Sequence, residues 1–184
     1  CEPNATEMCP AVQITQGARG NGKMNGLADF IAQEEMDRYR GFWWAPNSKK
    51  IAYEQVDESH IPIYRILHQG KDIVGDNAQE DHHYPFAGAA NPKVKLGVVD
   101  VPEILPSNSN EISDDGKSLS STKPRSLWMD LGKDEDIYLA RVNWMCDGRL
   151  CAQIENRLQT ELNLQVFDLT NGESSLLLQE TNAT

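Results

Sequence analysis

The chain has 184 residues, 39% hydrophobic and 24% charged, which is enough apolar material for one ordinary domain with a core and too much for a disordered segment. A formal net charge of -11 argues against nucleic acid as the main partner, because phosphate binding needs a basic footprint; acidity on this scale more often serves solubility. No stretch approaches the roughly 18 apolar residues of a membrane-spanning helix, and Cys1-Glu-Pro-Asn-Ala-Thr6 carries no basic or apolar leader, so any targeting segment is expected outside this chain.

In chain order, Cys1 and Cys9 bracket a short polar stretch and leave a bridge open in an oxidising compartment. Asn4 and Asn182 begin tripeptides with the form of glycosylation sequons. Gly17-Ala-Arg-Gly-Asn-Gly-Lys23 has the letters of a phosphate loop, but Met24 stands where Ser or Thr should ligate magnesium. Leu27, Phe30 and Ile31 recur at helical spacing with Asn25 as N-cap, which places Glu34 and Glu35 at the end of a short helix or in the turn leaving it. Arg38 is spaced to pair with either glutamate. Trp43 and Trp44 are expected in a sheet core. Asp57-Glu58-Ser59 is expected to end a strand. An insertion over residues 58–91 contains the extended piece Ile61-Pro-Ile-Tyr-Arg-Ile-Leu67, followed by an acidic loop with His82 and His83. Adjacent histidines do not share one face of a helix or strand, so a solvated loop is favoured there over a metal site. A second insertion, 102–123, is polar and of low complexity.

A repeat decides the fold class. Trp44-Ala-Pro-Asn-Ser-Lys-Lys-Ile-Ala52 lies on Trp144-Met-Cys-Asp-Gly-Arg-Leu-Cys-Ala152 without a gap, with Asn47-Ser48 and Asp147-Gly148 as turn pairs. A tight hairpin on Asp147-Gly148 sets Cys146 opposite Arg149 and Cys151 opposite Trp144, a poor arrangement for a disulfide, so free thiols are expected. Each hairpin is followed by two more β-rich segments: 93–101 and 125–131 after the first, 161–169 and 174–178 after the second, with Asn171-Gly172 between the last two. Four-stranded units in series are propeller blades. The expectation is an all-β chain, part of a β-propeller of about two four-stranded antiparallel blades with a short inserted helix carrying Glu34 and Glu35. Residues 25–40 form that insertion, 41–133 the first blade and 134–180 the second. Closed propellers typically need about four to eight blades.

Several words of the sequence carry a resemblance. Gly26-Leu-Ala-Asp-Phe-Ile-Ala-Gln-Glu-Glu-Met-Asp-Arg38, Trp43-Trp-Ala-Pro46, Val56-Asp-Glu-Ser59 and Tyr84-Pro-Phe-Ala-Gly-Ala-Ala-Asn-Pro-Lys-Val94 together resemble, in order, the N-terminal β-propeller of dipeptidyl peptidase IV-type serine peptidases of the prolyl oligopeptidase family. The resemblance implies an internal segment of a larger enzyme whose α/β-hydrolase domain, with the catalytic residues, lies elsewhere; no Gly-x-Ser-x-Gly elbow occurs here. It implies that Glu34 and Glu35 bind the α-ammonium of peptide substrates with a free N-terminus and Pro or Ala second, and that X-Pro or X-Ala dipeptides are released. No cofactor or metal is implied. Homodimers are common among such proteins, and a periplasmic, secreted or membrane-anchored location is expected over a cytoplasmic one. Gln33 stands where some relatives have a third acid. Two competing readings are an inactive relative that kept its propeller for protein contacts and an unrelated propeller in which the pair is incidental.

Overall fold

The computed structural model describes residues 11–70, 75–102 and 124–182. The Cys1 and Cys9 pair, the Asn4 sequon and all but the start of the 102–123 insertion lie outside them. In chain order the elements are β1 (Lys23–Asn25), α1 (Phe30–Glu35), β2 (Phe42–Trp44), β3 (Lys50–Asp57), β4 (Ile63–Leu67), β5 (Gln79–His83), β6 (Lys93–Asp100), β7 (Leu127–Trp128), β8 (Ile137–Trp144), β9 (Leu150–Asn156), β10 (Glu161–Phe167) and β11 (Ser174–Thr181).

The first sheet is built on β3, whose one side is occupied along its whole length by β6, from Lys50 opposite Asp100 to Asp57 opposite Lys93. Its other side is shared: β1 pairs with residues 55–57 and β2 with residues 51–53. The two short strands are therefore one edge strand, interrupted by the excursion that carries α1. With β7 beyond β6, the sheet is four strands wide among the described residues. The second sheet is the consecutive antiparallel series β8-β9-β10-β11. Apolar residues from both sheets form one core, with Ala52, Leu96 and Val98 against Leu139, Val142, Leu150, Ala152 and Ile154. Polar contacts cross the same boundary: Trp144 Nε1 donates to the Trp43 carbonyl at 3.0 Å, and the Asp130 amide donates to the Gly172 carbonyl at 2.8 Å. Gly172 has φ of 83°, and a Cβ there would collide with the Trp128 carbonyl oxygen, so the Asn171-Gly172 turn packs closely only because it lacks a side chain.

The structure corrects five local expectations. Asn25 is in β1, where its Oδ1 accepts from Gln55 Nε2, and the helix starts later, on Asp29. The two repeat hairpins are not gapless: Ala45 bonds Lys50 across the first turn and Met145 bonds Arg149 across the second, so the first turn is one residue longer. Cys151 consequently faces Asn143, not Trp144, because Gly148, with φ of 87°, closes a three-residue turn instead of a two-residue one. Both Cys146 and Cys151 are free. The same offset puts Trp43, opposite Ala52, against the core and leaves Trp44 53% exposed. Finally, His82 and His83 are on β5, which pairs with β4 in a separate two-stranded arm, and are not in a loop.

Candidate functional site

The acidic pair is presented by an excursion with a pinched neck. Backbone bonds join Gly41 to Gly26, Gly26 to the Glu54 carbonyl, and the Glu54 amide to the Gly41 carbonyl, at 3.2, 2.8 and 2.7 Å. Gly41 is required for this closure, since a Cβ there would sit 2.6 Å from the Leu27 carbonyl carbon and oxygen. Residue 54 thus holds both ends of the neck from the middle of β3.

Within the excursion, α1 is capped at both ends. Asp29 Oδ1 accepts from the Ile31 and Ala32 amides at 2.9 and 3.1 Å. The Met36 and Arg38 amides both donate to the Ala32 carbonyl, and Asp37 between them takes a left-handed conformation, φ 51°. Ala28 and Ala32 are buried, whereas Glu34 and Glu35 are exposed at the last turn. Among the described residues neither glutamate forms an ion pair. Two carboxylates at the C-terminal end of a helix face its negative pole, so local potential there is strongly attractive to a cation. Glu35 also borders an open groove with Met36, Arg141, Gln153 and Glu155.

Arg38 does not pair with Glu34 or Glu35, contrary to the sequence spacing. Its side chain turns inward, is 7% exposed, and binds Glu54 through both terminal nitrogens, at 2.6 and 3.1 Å. Nη1 also reaches the Arg40 carbonyl at 3.2 Å, and Nη2 the Leu139 carbonyl of the second sheet at 2.8 Å. Asp29 Oδ2 lies 3.8 Å from Nη2, and the Trp43 ring centroid is 5.8 Å from the guanidinium carbon. Burial pushes the Glu54 carboxyl up to about 7 from its ordinary 4.5, opposed by the hydrogen bond and charge of Arg38. Neither Glu54 nor Asp29 was singled out from sequence. The available signal was alternation: Ala52, Glu54 and Val56 share one face of a buried strand, where a carboxylate needs a cation.

The other sequence motifs resolve simply. Lys23 opens a strand, not a helix, and its ammonium pairs with Asp57 at 3.0 Å, so the glycine-rich stretch before it has no phosphate-loop geometry. Asp57 ends β3 by accepting from the Ser59 amide and hydroxyl, and the hydroxyl bond holds its carboxyl down at about 2. Glu58 is buried, and that burial raises its pKa. His83 Nδ1 contacts the Ile61 carbonyl at 2.8 Å, while His82 faces Glu80. Phe30, at the start of α1, meets Tyr84 with ring centroids 5.1 Å apart; Tyr84 in turn contacts Tyr64 of β4 and Phe86. This aromatic group joins the helix to the arm.

Comparison with known proteins decides the family. The family model for the dipeptidyl peptidase IV (DPP IV) N-terminal region matches residues 3–184. The chain belongs to this family. As a DPP IV N-terminal region, it is 29% identical to dipeptidyl peptidase 4 of Felis catus over 171 residues, which cover 92% of this chain and 20% of that protein. It is likewise 29% identical to prolyl endopeptidase FAP of Homo sapiens over 161 residues, 86% of this chain and 19% of the relative. The crystal structure of Porphyromonas gingivalis dipeptidyl peptidase 4 shares the fold, with a TM-score of 0.71 at 24% identity over 93% of this chain and 21% of that one. The two sheets are therefore part of the DPP IV β-propeller. The chain spans about a fifth of the length of the relatives it matches.

Proposed function

We propose that this DPP IV N-terminal region is the substrate-recognition segment of a longer serine dipeptidyl peptidase, in which Glu34 and Glu35 bind the free α-ammonium of the peptide. The observation that carries the reading is the pair itself: two exposed carboxylates without an ion-pair partner among the described residues, mounted on a helix capped at both ends. An ammonium has three donors, and each charge-assisted bond to a carboxylate is worth roughly 1.5 to 3 kcal/mol. Held this way, the N-terminus lies at a set distance from a serine on the α/β-hydrolase domain, and only the second peptide bond reaches the nucleophile. The propeller contributes orientation, not bond chemistry. X-Pro and X-Ala dipeptides are the proposed products, with homodimerisation and a periplasmic, secreted or membrane-anchored location as accompanying proposals.

The test is cleavage of a Gly-Pro chromogenic dipeptide by the full-length protein that carries this segment, beside Glu34→Gln/Glu35→Gln. Loss of two charge-assisted bonds should raise KM by about a hundredfold or more with the fold intact. An unchanged KM would sink the reading.

A further inference from the structure

We propose that Arg38 is the positioning residue of the acidic pair: a buried guanidinium that locks the Glu34 and Glu35 helix onto both blades at once and so sets where the substrate's ammonium is held. This rests on the reading of Glu34 and Glu35 as amine ligands. Arg38 itself faces away from solvent and touches no substrate.

The excursion is a 16-residue detour, 26–41, out of an edge strand, and beyond a single antiparallel bridge between Leu27 and Arg40 it has no continuous strand pairing to fix it. Two devices replace that pairing. The first is the neck, where the Glu54 backbone binds Gly26 and Gly41. The second is Arg38, which takes the Glu54 side chain in a two-pronged grip and reaches the Leu139 carbonyl on β8. The residue stands three positions after Glu35, and its own amide closes the end of α1 on Ala32. It also approaches Asp29, the side chain that opens the helix. One side chain therefore connects the helix start, the strand beneath and the neighbouring blade. The planar fork matters here, because a lysine ammonium supplies charge without two parallel bonds to one carboxylate.

The distinguishing experiment is a double-mutant cycle on KM in the full-length peptidase, using Gly-Pro chromogenic substrate, with Arg38→Lys made alone and in the Glu34→Gln/Glu35→Gln background. A displaced acidic pair should raise KM by roughly tenfold in the single variant, with kcat within about twofold. In the Glu34→Gln/Glu35→Gln background the same substitution should add almost nothing, since it acts through groups already removed. If Arg38→Lys fails to fold, Glu54→Gln, which weakens the same grip from the other side, is carried through the same cycle. An unchanged KM, or an equal rise in both backgrounds, overturns the positioning role while leaving the amine-binding reading standing. If the Glu34→Gln/Glu35→Gln protein itself keeps its KM, the amine-binding reading falls and the positioning role with it.

Discussion

A carboxylate does different work according to where the backbone puts it, and three kinds gather in the excursion and the strand beneath it. Asp29 is buried and spends one oxygen on helix amides, Glu54 is buried beneath Arg38, and Glu34 and Glu35 are exposed. Only the last two are available to a ligand. Their proposed partner, an N-terminal amine, titrates near 7.7 to 8.0 when unperturbed, so KM for a free peptide should rise as pH passes that range. N-acetyl peptides should remain very poor substrates at every pH, because a neutral amide cannot replace the cation. Equal turnover of acetylated and free peptides would contradict the role given to the pair.

At the scale of the element, α1 is too short to persist alone, since nucleating a helix is costly and six residues return few bonds. Its existence depends on its caps and on the neck. Asp29→Ala removes the acceptor for two amides and should cost about 1 kcal/mol, read as a lower urea midpoint. Gly41→Ala forces a Cβ into the Leu27 carbonyl and should open the neck, which hydrogen exchange at the Gly26 and Glu54 amides would report as faster exchange. The arm formed by β4 and β5 is likewise attached by side chains, through Phe30, Tyr64, Tyr84 and Phe86.

On the scale of the whole molecule, the Arg38 and Glu54 pair couples stability to pH. In the folded chain Glu54 keeps its proton to about 7, while in the unfolded chain it loses it near the ordinary 4.5. Between those values folding takes up a proton, so this group's contribution to stability is fullest below about 4.5 and declines as pH rises through about 7. Glu54→Gln should flatten that decline in a series of thermal midpoints, and an unaltered pH profile would show that another group causes it. Blade edges set a second property. Leu176, Leu177 and Leu178 of β11 are about half exposed, and among the described residues the β1 and β2 edge is unpaired on its outer side. The isolated segment should therefore self-associate, as light scattering on the purified 184-residue piece would detect.

By itself the sequence determined the strand-rich class, the hairpin repeat and the position of Glu34 and Glu35 at a helix end or in the turn after it, because alternation, turn residues and short helical spacing are local signals. It could not assign the helix cap to Asp29, the longer first turn or the burial of Trp43 over Trp44, each of which hangs on register with β3 or on the length of a turn. Nor could it find the partner of Arg38. Spacing along a helix offered Glu34 and Glu35, but the chain leaves α1 through Asp37 in a left-handed turn and the guanidinium points into the sheet, where only the tertiary structure brings Glu54 and Leu139 to meet it.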